Sequence, residues 1–478
     1  MSDLRAILSY ARLPQSGLAK LKKGLDELGI QIKWIAAHDK EQDKSKKLFP
    51  EAKQVRWASY RFNETWSSHF DKNLFDTLFR TDKITALPIV ERYYPFEGGS
   101  LEAEIRLAHD FSIAHHMIKD CQPEMILFGK TPESGIDYCL YLIAKYLNIT
   151  TIFTKGGAFP HSRVISTDID SPILDKYWRT SNAIVPICNL KNPGKEISSI
   201  TLKRIREIQN SEKNSIPDYM RNQGVYAKNQ DNRLIQFNPK YPYTKLFRHY
   251  FKKGSGMYYK KQLLKKNERI STPLDEINFS KRTYYFPLHY QPELTSMPLG
   301  KEFVNQLKII KLISQYLSSD EQLLVKDHPS TFATITKTNS NFRTKSFYDW
   351  IQKIPNVKLV SVYVSSNYLM DKSRGLVTIT GTAGMEAMIR NKTVLSFGNA
   401  SYLNGPGIFR INTENDISKA LEMIPVSYDY REVEKFMMAL DGTANHLEFS
   451  PDEFNNAQYI TQMHYVTTLL EGLKKMKF

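Results

Sequence analysis

The sequence predicts an α/β protein built from two doubly wound, parallel-sheet domains, and three observations predict it. Near the start, AILSYA at 6–11, the turn Pro14-Gln15-Ser16-Gly17, an amphipathic run from Leu18 to Leu28 and the segment IQIKWIAA read as strand, helix, strand. From about Lys281 a second series alternates apolar β-rich runs with single helical patterns, which implies a parallel sheet. The length, 478 residues, exceeds one ordinary core and favours two or three domains of roughly 100–200 residues. The expected division is an N-terminal domain over 1–275, carrying a basic, aromatic helical insertion at about 191–269, and a second domain over 276–450. A long helix in 451–478 is expected to cross back onto the first domain.

Each element follows from its own pattern. After the opening unit, residues 40–100 are rich in aromatics and charges with little periodicity, and no element is assigned there. SLEAEIRLAHDFSIAHHMIKD has helical spacing behind an N-cap serine, Ser100, and MILFG, DYCLYLIAKYLN and ITTIFT continue as strand, helix, strand. In the second domain, strands are expected at YYFPLH, QLLVKDH, VKLVSVY, LVTITG and TVLSF. Helices fall between them at about 301–317, 345–354, 365–373 and 382–391. Gly17 is the single glycine of the first turn, so the dinucleotide fingerprint is missing and a typical NAD site is excluded.

Lys and Arg number 66 against 50 Asp and Glu, a formal charge of +16, which points to an anionic partner. Between 191 and 269, aromatics interleave with Lys245, Arg248, Lys252, Lys253, Lys260, Lys261, Lys265 and Lys266. A helix pair docking on anionic lipid and a solvated basic face both fit this tract. Nucleic acid is not expected, because no recognition motif accompanies it. Cys121, Cys139 and Cys188 are widely spaced and read as reduced structural thiols, and no run reaches the ~18 apolar residues of a membrane span. A cytoplasmic protein, with at most peripheral contact with the inner face of the membrane, is the expectation.

Three polar segments leave strands of the second sheet. FPLHYQPELTSMPLG places His289, Gln291, Glu293, Thr295 and Ser296 in a loop stiffened by prolines, which suits hydrogen bonding to a sugar; Glu293 or His289 is available as acid, base or nucleophile. A polar turn that caps its own backbone is the plainer alternative. VKDHPS sets Lys326 and His328 beside Pro329, with His328 biased away from helix and positioned to bond a phosphate oxygen. In TITGTAGMEAMIR, the turn Gly381-Thr382-Ala383-Gly384 precedes a helix read from Met385. Its open N–H groups suit an anion, and Glu386 is expected in the first helical turn, within reach of a ribose hydroxyl. Together these exits describe a nucleotide-phosphate pocket. Asp168-Ile169-Asp170 has the spacing of a metal-binding acid pair but lies in an unassigned loop, and no metal is expected.

The run FPLHYQPELTSMPLG, VKDHP, PNVKLV and TITGTAGMEAMIRNKTVLSFGNASY, over about 282–403, resembles the bacterial capsule polysaccharide biosynthesis family, which includes the retaining β-Kdo transferases. The resemblance implies the GT-B architecture, with two Rossmann-like domains facing a cleft. It also implies a CMP-activated acidic sugar as donor, His328 on the nucleotide phosphate, and Glu386 with the 381–384 turn holding the nucleotide. Where the family pattern runs from a Gln through an acidic stretch to an Asp, this chain has Gln291-Pro292-Glu293-Leu294-Thr295, so Glu293 is the motif's one carboxylate. The expected activity is transfer of a Kdo- or sialic-acid-like sugar to a glycan or lipid-linked acceptor, with the nucleotide sugar as substrate and no cofactor. Two rivals stand beside it: a CDP-polyol phosphotransferase of the teichoic-acid type, and a non-catalytic capsule assembly or export protein.

Overall fold

The structure, a computed structural model, describes residues 4–10, 13–38, 41–56, 70–93, 99–156, 162–171, 199–210, 258–332, 342–443, 445–446 and 457–476. The chain forms two compact units: residues 1–201, 297–302 and 434–478 make the first, and 202–296 with 303–433 make the second.

In the first unit, strands β1 (Leu4–Tyr10), β2 (Ile30–Ala37), β3 (Lys53–Arg56), β4 (Met125–Phe128), β5 (Thr150–Gly156) and β6 (Ser162–Ser166) share one sheet with a two-residue strand, Asn445–His446. Its order runs β3-β2-β1-β4-β5-β6; β1 to β5 are parallel, and β6 is antiparallel to both β5 and the Asn445–His446 strand. Helices α1 (Gln15–Glu27), α2 (Gln42–Leu48), α3 (Lys72–Tyr93), α4 (Gly99–Cys121) and α5 (Gly135–Tyr146) flank it. Ser100 therefore lies inside α4 rather than at its cap. The aperiodic 40–100 stretch holds α2, β3 and α3; Phe75 and Phe79, one helical turn apart on α3, both pack against Phe111 of α4. The C-terminal helix, Ala457–Met476, closes the core over α1 through Val466, Leu469, Leu470 and Leu473. A Cβ on Gly24 would stand 2.5 Å from Leu470 Cδ2, so a larger residue here would have to displace the Leu470 side chain. Residues 297–302 join this unit, where Lys301 Nζ pairs with Asp170 Oδ2 at 2.7 Å.

After helix α6 (Ser199–Asn210), the second unit is a six-stranded parallel sheet. Its strands are β7 (Arg282–Pro287), β8 (Glu321–Lys326), β9 (Val357–Val360), β10 (Gly375–Thr378), β11 (Thr393–Ser396) and β12 (Ile408–Arg410), in the order β12-β11-β10-β7-β8-β9. This is the doubly wound 3-2-1-4-5-6 order, whose direction reverses between β7 and β10. Helices α7 (Gln306–Tyr316), α8 (Lys345–Gln352), α9 (Ser366–Lys372), α10 (Thr382–Ile389) and α11 (Glu414–Met423) connect the strands, and α12 (Tyr430–Thr443) follows. The strands are buried on both faces, as a helix-covered parallel sheet requires: Tyr284, Phe286, Leu323, Val325, Val377 and Leu395 face one core, and Tyr285, Leu324, Leu376 and Val394 the other.

The basic tract divides. Lys245, Arg248, Lys252 and Lys253 lie outside the described residues. Residues 258–270 form a helix on the second unit, with Leu263 in its core and Lys260 buried, while Lys261 and Lys265 are exposed. Burial lowers the Lys260 pKa to about 8.

Candidate functional site

In an open parallel sheet, ligands bind beyond the carboxyl ends of the strands where the order reverses. Here that point lies between β7 and β10, with β8 on the other side of β7. The three polar exits leave β7, β8 and β10, which are hydrogen-bonded neighbours, so the fold brings all three together.

His289 follows β7 and is buried. Its Nε2 accepts the Ile379 N–H at 3.1 Å and lies 3.2 Å from Thr378 Oγ1, which in turn accepts the Gly381 N–H. Burial, reinforced by the neighbouring His328 and Arg343, pushes its pKa down to about 3. This corrects the expected acid–base role: a neutral ring whose Nε2 is already used ties β7 to β10 and does not exchange protons with a substrate. Gln291 is also internal. Its Oε1 accepts from Gln306 Nε2 at 2.7 Å and Arg343 Nη1 at 3.1 Å, and its Nε2 donates to Val304 O at 2.7 Å. Ser296 is fully buried and donates to Glu293 O. The expected sugar contacts of Gln291 and Ser296 are thereby replaced by loop-building ones. Glu293 and Thr295 remain half-buried, with Thr295 Oγ1 donating to Glu293 Oε1 at 2.6 Å.

Past β8, Lys326 is buried and donates to Ser366 Oγ at 2.8 Å; burial lowers its pKa to about 8. Its charge is thus turned inward, toward α9. His328 is half-buried. Its Nδ1 accepts the Ser330 N–H at 3.2 Å, which places the ring proton on Nε2 when the ring is neutral. Burial, partly opposed by Asp327, lowers its pKa to about 4, so at neutral pH this ring offers a neutral N–H donor. Pro329 opens the short helix that makes this turn.

Past β10, Gly381 is the N-cap of α10, with no side-chain cap, and Thr382 is exposed. The first-turn N–H groups are therefore not capped by a side chain, as an anion site requires. Glu386 is corrected: α10 starts at Thr382, as the expected 382–391 range has it and not only at Met385, so Glu386 sits in the second turn and no acid occupies the first. Gly384 is buried where its Cβ would strike Tyr402, whose hydroxyl donates to Gly381 O, so its small size serves packing. The Cβ of any residue at 381 would lie 2.9 Å from His289 Cε1.

Asp327, Arg343 and Tyr348 escaped the sequence reading. Asp327 is completely enclosed: Oδ1 accepts from His328 N at 2.7 Å and Thr331 Oγ1 at 3.2 Å, and Oδ2 accepts from Arg343 Nε at 3.0 Å and Tyr348 OH at 2.6 Å. An acid at the end of a buried strand was the available signal for Asp327. Arg343 follows an unassigned stretch and carried none. Asp168 and Asp170 are engaged by Lys145 and Lys301, respectively.

Two Rossmann-like units on one chain, the second carrying an uncapped helix N-terminus and a histidine donor at its switch point, agree with the GT-B-like fold class expected from the sequence. Residues 214–421 match the family described as "Capsule polysaccharide biosynthesis protein", in accord with the resemblance read from the sequence. Among solved structures, the chain is similar to the β-Kdo 2,7-transferase KpsC of Thermosulfurimonas dismutans (11% identity, 70% of this chain and 86% of that one, TM-score 0.29). It is also similar to a Rickettsia africae glycosyltransferase (13% identity, 99% of each chain, TM-score 0.26). A third is the Methanocaldococcus jannaschii UDP-GlcNAc 2-epimerase in complex with UDP-GlcNAc and UDP (12% identity, 91% and 99%, TM-score 0.26). No curated protein sequence matches the chain.

Proposed function

We propose that the protein is a glycosyltransferase of capsule polysaccharide biosynthesis that takes an acidic sugar from a CMP-activated donor and delivers it to a glycan or lipid-linked acceptor. The observation that carries this reading is the convergence of the β7, β8 and β10 exits at one switch point. In this reading the donor phosphate lies against the N–H groups opening α10 and the Nε2–H of His328, with Pro329 shaping the turn and Thr382 at the rim. Preorganised donors of this kind stabilise a leaving phosphate as charge develops on it. Glu386 takes a ribose hydroxyl from the second turn of α10. Glu293, the half-buried carboxylate of the β7 exit, acts on the sugar, with Thr295 holding its Oε1.

Work at the cytoplasmic face of the membrane belongs to the same proposal. Among the described residues no helix is long and apolar enough to cross a membrane. Calorimetry with CMP, CDP and UDP, followed by product analysis with a CMP-sugar, tests the reading. CMP binding and a new glycosidic bond are expected. A new phosphodiester from a CDP-polyol would replace it with the phosphotransferase reading, and binding of none of the nucleotides would leave a scaffold.

A further inference from the structure

The guanidinium of Arg343 is among the most deeply enclosed charged groups of the second unit, yet it touches none of the atoms assigned to the donor. Its ion pair with Asp327 is buried on both sides, 2% and 0% exposed. Nε donates to Asp327 Oδ2 at 3.0 Å, Nη1 to Gln291 Oε1 at 3.1 Å and to Phe342 O at 3.0 Å, and Nη2 to His289 O at 3.2 Å. The Phe347 ring covers it, 4.4 Å from Cζ to centroid. Two separate loops thus hang on one planar group: the turn after β8 through Asp327, and the loop after β7 through His289 and Gln291. Asp327 passes the constraint to the His328 backbone at 2.7 Å, and His289 passes it to the Ile379 N–H at the end of β10.

We infer that Arg343 is the positioning residue of the site, holding the β8 turn that carries His328 in fixed relation to the β7 and β10 exits, so that the phosphate donors stay preorganised. This rests on the nucleotide reading above. Lysine cannot substitute, because a single ammonium lacks the planar fork that reaches three acceptors on two loops. Tyr348 supports the same carboxylate from α8.

The test is amide hydrogen exchange at His289, His328, Ser330 and Ile379 in the wild type, Arg343→Met and Arg343→Lys, with the Leu395 amide as fold control, together with calorimetric titration of CMP. In Arg343→Met all four amides should exchange at least tenfold faster while Leu395 stays protected, and CMP should bind at least tenfold more weakly. Arg343→Lys should keep protection at His328, through Asp327, and lose it at His289 and Ile379. Acceleration confined to His328 and Ser330 in Arg343→Met, or an unchanged CMP affinity beside a wild-type that binds CMP, overturns the inference. If Leu395 also loses protection, Tyr348→Phe decides: a smaller acceleration reaching Ile379 supports the linkage, and none refutes it. A wild type that binds no CMP removes the nucleotide reading, while exchange still reports whether Arg343 couples the loops.

Discussion

Two histidines that follow neighbouring strands, His289 after β7 and His328 after β8, do different things because different ring nitrogens are occupied. His289 has Nε2 engaged by Ile379 N–H, whereas His328 has Nδ1 engaged by Ser330 N–H. Both remain neutral well below the ordinary pKa of 6.5, so the folded protein refuses protons that the unfolded chain accepts. Their contribution to stability is therefore complete above pH 6.5 and is lost as pH falls, toward about 4 for His328 and about 3 for His289. For the buried His289 the slope is about 1.4 kcal/mol per pH unit. Urea titrations between pH 7 and 4 should show this decline, and His289→Gln should flatten it. A second residue-level expectation concerns Asp327: Asp327→Ala strands a buried guanidinium and should cost about 3–5 kcal/mol, read from the denaturant midpoint. His328→Ala, in contrast, should abolish transfer with little change in that midpoint, because its ring is half-buried and its hydrogen bond is a local one, to Ser330 N–H in the turn that His328 itself opens.

At the scale of elements, α10 is held in place from three sides: His289 under Gly381, Tyr402 against Gly384, and the end of β10 leading into it. Gly381→Ala must move His289, and since that ring is locked to Ile379 it cannot swing aside. An overpacking cost of about 1–3 kcal/mol is expected. The same substitution should weaken CMP binding, because the helix N-terminus shifts with it; equal affinity in calorimetry would show that the α10 amides take no part. Five strands of this sheet were legible because each is a short apolar, β-rich run, and the exits were legible because KDHP and TGTAG follow such runs; β12, only three residues, was not assigned. What could not be read was partnership. That β7 lies between β8 and β10 depends on hydrogen bonds between segments up to about ninety residues apart, and so does the difference between a ligand-facing Gln291 and the internal one observed. Glu386 was misplaced for a local reason: Thr382-Ala383-Gly384 looks like a turn ahead of the helix, but it forms the first helical turn, with Gly384 packed against Tyr402, and Glu386 falls in the second.

Across the whole molecule, one chain builds two sheets of the same winding, and they use their switch points differently. In the first unit the β4 exit is filled by its own charges: Glu133 takes both Lys130 and Arg92, and Ser9 donates to Asp137 in the first turn of α5, whose start is capped by Ser134. In the second, the corresponding helix α10 starts without a side-chain cap. An N-terminus already satisfied by protein has little to gain from an anion, whereas an uncapped one gains hydrogen bonds and dipole compensation together. Nucleotide should therefore stabilise through the second unit. At a concentration of about 100 times its dissociation constant, CMP should add roughly 2.7 kcal/mol. Hydrogen exchange should show that protection at Ser330, Thr382 and Ala383 in the second unit, and not at Asp137 or Tyr138 in the first. Protection appearing at α5 instead would put the nucleotide on the wrong sheet, and with it the roles proposed for His328 and Glu386.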